Sequence, residues 1–342
     1  MSNKKYDNIY IPANIDTAID SGIQRGLLER ESKRKNKKLG KIVAAGLVIV
    51  LTIGVANPTL ASKIPLVGKV FETIEKDLYF SGNYSKYAYG VNETITSNGI
   101  GITVSEVLSD GQSLYISYVV KSEEPFKYTS KNSGKKLDMN QLLVNEEYNK
   151  VDFTDEKLDM WSFVGLEGKF IDENTFIGVQ KYMLNNLEAE IPNEFKFQSR
   201  IIALQNYSVN KDDKINTREG VWDFNIKVKV NKDLKKDIVL DELENEVIKI
   251  NKISITPFDL VVDTSYKEGV WTDYLTIIYD EDGKELNSTQ GEVIEDGRVA
   301  DMTYRLSNKE NKYLKIVVFK HIKEDSNLKK KVVFEKTISL EK

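Results

Sequence analysis

The chain has 342 residues, with 49 Lys and Arg against 53 Asp and Glu, one His and no Cys, for a formal charge of −4. Disulfides, thiolate metal sites and cysteine nucleophiles are thereby excluded, and His321 is left as the single imidazole. With 40% hydrophobic and 30% charged residues the chain has the composition of a folding protein, and at roughly 100–200 residues per domain it holds two ordinary domains and a tail.

The charge is unevenly spread. Met1–Lys41 carries ten cations and five anions, whereas the chain from Ser62 onward carries an excess of nine anions. Near the amino terminus Ile15, Ile19, Ile23 and Leu27 recur every four residues, which places them on one side of a helix that Asn14 suits as N-cap. Gly22 and Gly26 weaken a helix this short, so it is expected to order on a partner. The four residues are the candidate partner-binding stripe; the alternative is a helix lying on the inner membrane surface.

From Leu39 to Ala61 there are 23 positions and one charge, Lys41, at the edge. At about 1.5 Å per residue this reaches about 34 Å, enough for a hydrocarbon core of about 30 Å. Seven cations between Arg30 and Lys41 precede it, and only the isolated Lys63 and Lys69 follow. A transmembrane helix with a cytoplasmic amino terminus and an extracellular carboxyl terminus is therefore expected, with membrane lipid as a partner of the basic run. The bland alternatives are a buried core helix and a signal peptide cleaved after Thr59-Leu60-Ala61. The first fits poorly behind so basic a flank, and the second behind so long a patterned segment.

Ile64, Val67, Phe71, Ile74 and Leu78 predict a juxtamembrane amphipathic helix over Ser62–Tyr79, with Pro65 in its first turn. Glu72, Glu75 and Asp77 would be repelled by anionic lipid, so the helix is expected to cap the exported part. Beyond Tyr79 the period falls to two. Strands are predicted over Gly99–Leu108, Ser113–Lys121, Thr175–Val179, Phe195–Leu204 and Val221–Val230, with Ser109–Gln112 as a hairpin turn. Tyr128–Met160 is less regular and reads as a long loop or short helix. After the charge-dense Asn231–Asp237 come Val247–Ile255, Leu260–Thr264, Tyr274–Tyr279, Arg298–Leu306, Tyr313–His321 and Lys331–Leu340. The expected fold is mainly β: a short cytoplasmic helix, one transmembrane helix, then two antiparallel immunoglobulin-like β-sandwich domains outside. The boundaries are 1–38, 39–61, 62–79 for the juxtamembrane helix, 80–232 and 233–342.

No chemistry stands out. Asp280–Gly283 fails the calcium-loop pattern, because Ile278 and Thr289 occupy its first and twelfth positions. Phosphate loops, nucleophile elbows and zinc-protease motifs are absent from the sequence, and His321 reads as a surface residue. Trp222 and Trp271, in or beside strands, are expected in the core rather than on a sugar- or peptide-binding face. The expectation is a protein that is not an enzyme, with no catalytic residue, cofactor or metal, and with lipid rather than nucleic acid against its basic run.

Three motifs together carry a resemblance. Ala61-Ser62-Lys63-Ile64-Pro65-Leu66-Val67-Gly68-Lys69-Val70-Phe71 and Asp110-Gly111-Gln112-Ser113-Leu114-Tyr115-Ile116-Ser117-Tyr118 follow an amino segment that contains Ile11-Pro12-Ala13-Asn14-Ile15-Asp16. The chain resembles the bacterial membrane proteins built on the domain of unknown function numbered forty-one seventy-nine. Ile253-Ser254-Ile255-Thr256-Pro257-Phe258 is similar to a companion domain numbered fifty-six forty-three. The resemblance implies a Gram-positive regulator that acts negatively on an extracytoplasmic-function sigma factor, with that factor as the cytoplasmic partner and an extracytoplasmic ligand or protein as the signal. The His and Cys of zinc anti-sigma domains are missing from Met1–Lys41, so the contact would be helical. The alternative is a membrane-anchored extracellular binding module without a transcriptional role.

Overall fold

The period-two patterning becomes antiparallel sheet nearly everywhere the computed structural model describes the chain, at residues 67–77, 82–126, 141–160, 166–206, 216–238, 244–306, 311–324 and 327–340. The stripe Ile15, Ile19, Ile23 and Leu27 and the apolar stretch 39–61 lie outside these residues. Among the described residues no helix is long and apolar enough to cross a membrane. The helices there are few: α1, Val70–Asp77, and the single turn α2, Tyr84–Tyr87. Of the helix predicted over 62–79, residues 62–66 and 78–79 lie outside the described residues; the rest is helical over Val70–Asp77, with Gly68 at φ +83° just before it.

One sheet follows the order β1 (Tyr89–Ser97), β2 (Ile100–Ser109), β3 (Ser113–Ser122), β7 (Thr175–Met183), β6 (Leu166–Asp172), β4 (Gln141–Val151), β8 (Glu194–Asn206) and β9 (Asn216–Lys229), with β5 (Asp159–Met160) beside β7. The turning element is β4. Its first two residues pair with β6 and the rest with β8, so one sheet folds over into two layers. Ile102, Val104, Leu114, Ile116, Phe176 and Tyr182 from one layer enclose a core with Phe197, Trp222, Phe224 and Val228 from the other. The segment Tyr128–Met160, expected as loop or helix, contains the eleven-residue strand β4.

The remaining strands form a five-stranded sheet, β10 (Lys236–Ile238), β11 (Ile248–Ile255), β12 (Asp259–Tyr266), β15 (Val299–Arg305) and β14 (Ser288–Ile294), and a three-stranded sheet, β13 (Tyr274–Tyr279), β16 (Tyr313–Glu324) and β17 (Asn327–Ser339). A second core lies between them, with Ile250, Leu260, Val262, Tyr304, Ile316 and Val318 at its centre.

An antiparallel strand with one face in water alternates in burial. β1 does so, but β3 is buried at nine of its ten positions and β7 at all nine. Leu114, Ile116, Tyr118 and Val120 point into the first core, so the opposite face, with Tyr115, Ser117 and Val119, is covered by something else. What covers it is α1, α2 and the start of β12.

Candidate functional site

The cover is an aromatic cluster over buried charge. Val70, Phe71 and Ile74 of α1 have no exposed surface. Phe71 stacks on Tyr84 at 5.7 Å, and Tyr84 stacks on Phe258 at 4.3 Å. Tyr115 meets both Tyr84 and Phe258 edge-on, at 5.1 and 5.4 Å. These are the offset and T-shaped geometries that ring quadrupoles favour. Gly82, at φ +116°, makes the approach possible, since a Cβ there would lie 2.7 Å from the Phe258 ring. The start of α1 is pinned to β2: Gly68 N–H donates to Ser105 Oγ at 2.7 Å and Phe71 N–H to Glu106 Oε2 at 3.1 Å.

Beneath the rings, Tyr115 and Lys181 are cross-strand partners on β3 and β7, and Asp259 and Arg305 are partners on β12 and β15. The two pairs face each other. Asp259 Oδ2 accepts from the Tyr115 hydroxyl at 2.5 Å and from Lys181 Nζ at 2.5 Å, with the two charged side chains only 5% and 7% exposed. Arg305 reaches back with both terminal nitrogens to the two oxygens of Glu167 on β6, each at 3.1 Å. One acid and one base from each sandwich are thus neutralised across the seam, as buried charges require. Burial, and after it the Asp259 charge, pushes the phenols of Tyr84 and Tyr115 well above the ordinary tyrosine value, so Tyr115 stays a donor. A cavity of about 10 Å³ remains among Tyr84, Tyr115, Glu167, Lys181, Asp259 and Arg305, close to the space one water needs.

The hairpin Ser109–Ser113 extends this polar interior. It is the expected turn, with Gly111 at φ +78°, but Asp110, Gln112 and Ser113 are wholly buried. Asp110 Oδ1 accepts from Gln112 and Ser113 N–H at 2.9 and 2.7 Å, while the Gln112 carbonyl accepts from Leu184 and Asn185 N–H. Burial pushes the Asp110 carboxyl above the usual aspartate range despite those donors. Among the described residues Asp110 Oδ2 and both side-chain amide atoms of Gln112 have no hydrogen-bond partner.

The sequence motifs therefore meet in space. Phe71 comes from Ala61–Phe71, Asp110 and Tyr115 from Asp110–Tyr118, and Phe258 closes Ile253–Phe258; Ile11–Asp16 lies outside the described residues. Sequence reasoning missed Glu167, Lys181, Asp259 and Arg305. Lys181 had a legible signal, a lysine inside the otherwise uncharged Thr175–Met183; Asp259 and Arg305 are strand-end residues of ordinary appearance.

Elsewhere, Trp222 is buried, with Nε1–H donating to the Ile100 carbonyl at 3.0 Å. Trp271 is not in the core: it is 39% exposed on a short turn before β13, a correction to the sequence expectation. Asp280 closes its own turn, accepting from Asp282 and Lys284 N–H at 3.0 and 2.8 Å. His321 is half-buried on β16. Among the described residues no group of three His, Cys, Asp or Glu is placed to hold a metal.

Residues 32–122 match the family model described as Domain of unknown function (DUF4179), a stretch that spans α1, α2 and β1–β3 and so contributes Phe71, Tyr84, Asp110 and Tyr115 to the seam. The match ends before Ile253–Phe258. No curated protein matches the chain. Among solved structures the chain is similar to a conserved domain protein from Bacillus anthracis, at 16% identity and a TM-score of 0.48, covering 77% of this chain and 94% of that one. A marsupial T cell receptor, at 7% identity and a TM-score of 0.19, covers 74% of this chain and is itself covered in full.

Proposed function

We propose that the chain is a single-pass membrane regulator, an anti-sigma factor that holds an extracytoplasmic-function sigma factor through Ile15, Ile19, Ile23 and Leu27 and responds to an envelope signal through its β sandwiches. In this reading the stretch 39–61 spans the membrane with the amino terminus inside. The second sandwich is taken as immunoglobulin-like, since β11-β12-β15-β14 facing β13-β16-β17 follows the order ABED facing CFG, with β10 added. The folded-over sheet of β1–β9 does not follow that order.

The observation that carries the proposal is the burial of Val70, Phe71 and Ile74 in the seam. Fully burying each such side chain stabilises by about 1.5–3 kcal/mol. The segment that follows the apolar stretch is thereby tied to both sandwiches, through Tyr84 and Phe258. Parting the sandwiches lifts Phe258 off Tyr84 and uncovers that side of α1 while its bonds to Ser105 and Glu106 hold, and a segment less covered is more open to proteolysis. Cleavage there would part the sandwiches from the span and leave the cytoplasmic segment on it, so that a second cut within 39–61 would release that segment with its bound factor.

The test uses the full chain in its native membrane. Chemical crosslinking and mass spectrometry should recover a sigma factor with the wild type and not with Ile19→Asp plus Ile23→Asp, and that variant should raise a defined set of transcripts. Asp259→Ala, which opens the seam, should raise the same set. Recovery of no sigma factor, with transcripts unchanged in both variants, would sink the reading and leave an anchored binding module.

A further inference from the structure

The second sandwich has a side that neither its core nor the seam uses. β14 ends the five-stranded sheet and, among the described residues, pairs only with β15. Its far side therefore presents a row of backbone donors and acceptors, the template to which another strand adds. Between β14 and the turn that carries Trp271 runs an open groove of about 290 Å³, lined by Trp271, Ser288, Thr289, Gly291, Val293 and Met302. Two of its large apolar walls face water, Trp271 at 39% and Val293 at 37% exposure. Gly291 keeps the floor low: a Cβ there would lie 2.5 Å from Met302 Sδ.

The charge of this segment selects its occupant. Ser288–Asp301 contains Glu292, Glu295, Asp296 and Asp301 against the single cation Arg298, and Asp273 lies on the Trp271 turn. A second copy adding to β14 would bring this acidic segment against its like and gain no opposite charge. A basic strand would set opposite charges there and bring cations to the rim of an indole face.

We propose that β14 and Trp271 form a binding site for a basic peptide in extended conformation. The peptide adds as a sixth strand beside β14, lays an apolar side chain between Trp271 and Met302, and brings its lysines or arginines to the acidic segment 292–301. The site is independent of what the cytoplasmic segment holds.

The experiment takes the full chain in nanodiscs and titrates two dye-labelled heptapeptides by fluorescence anisotropy, alternating Lys with Val and alternating Glu with Val, with empty nanodiscs as the blank. The basic peptide should bind at least tenfold more tightly than the acidic one and weaken with added salt. Trp271→Ala, at an exposed position that tolerates truncation, should weaken it about tenfold or more. Glu292→Lys with Asp296→Lys should reverse the preference, a gain of acidic-peptide binding that no folding defect imitates. Equal binding of both peptides, wild-type affinity in Trp271→Ala, or an unchanged preference in the charge-reversed variant would each overturn the proposal. So would binding of a neutral oligosaccharide in place of either peptide, or self-association blocked by Trp271→Ala.

Discussion

The ends of the two sandwiches' sheets are treated in opposite ways. In the first, β9 comes back beside β1 and β2 and is fastened by side chains: the Tyr89 hydroxyl donates to the Lys227 carbonyl at 3.3 Å and accepts from Lys229 N–H at 2.8 Å. Asn98 Nδ2 donates to the Glu219 carbonyl at 2.9 Å, Val221 N–H to Ser97 Oγ at 3.0 Å, and Trp222 to Ile100. In the second, the exposed edge of β14 has no such fastening among the described residues, and an indole stands in water beside it. Side chains with donors and acceptors at the right register hide a sheet edge without completing the ladder; where they are missing, the edge is available to a partner.

The contrast can be broken first at Trp222. Trp222→Ala removes both the largest core side chain and one fastening, and should cost about 3–5 kcal/mol of stability in urea denaturation of the first sandwich within the full chain. The seam comes next. Asp259→Ala leaves Lys181 buried and unpaired and should cost about 3 kcal/mol, whereas Asp259→Leu with Lys181→Met should recover most of it; a double variant as unstable as the single would show that packing rather than charge decides. Tyr89→Phe deletes a hydroxyl that both donates and accepts at the first sandwich's edge, with an expected loss of about 1 kcal/mol and earlier amide exchange at Lys229.

The last prediction is a slope. Glu146 accepts from Tyr182, Ser199 and Asn149 at 2.6, 2.7 and 2.9 Å, yet burial outweighs these donors and raises its pKa above the ordinary glutamate range. Between the ordinary and the raised value the folded state binds more protons than the unfolded one. Stability from this group is therefore greatest below the ordinary value and falls as pH rises through the raised one. Burial shifts Glu106 and Asp110 the same way. Glu146→Gln should make the midpoint less steeply dependent on pH between acid and neutral conditions; an identical slope would place the titration elsewhere.

Much of the β architecture could be read from alternation: β3 has Leu114, Ile116, Tyr118 and Val120 and β9 has Trp222, Phe224, Ile226 and Val228 at every second position, and β2, β12 and β16 alternate over part of their length, until Glu106, Thr264 and Lys320 interrupt. β1, Tyr-Gly-Val-Asn-Glu-Thr-Ile-Thr-Ser, and β14, Ser-Thr-Gln-Gly-Glu-Val-Ile, escaped because edge strands need little apolar content and both are rich in polar residues. The seam was legible only in pieces. Each motif reads locally, as helix, turn or strand, and nothing in the one-dimensional order says that Phe71, Tyr115 and Phe258 come together. The fully buried run of β3 was the available hint, because an antiparallel strand of that kind needs a second cover. Trp271 misled because its neighbourhood in sequence is strand-like while its own turn is exposed.

The pairing at the seam also sets how it comes apart. Asp259 and Arg305 stand opposite one another on β12 and β15, and Glu167 lies across from Val179, two residues from Lys181. When the sandwiches part, each face keeps one acid and one base within reach of each other, so the charges can exchange partners instead of waiting for water or counterions. Each separated face is neutral in charge but bares aromatic rings, Tyr84 and Tyr115 on one side and Phe258 on the other, so an opening that does not reverse leaves apolar surface open to association.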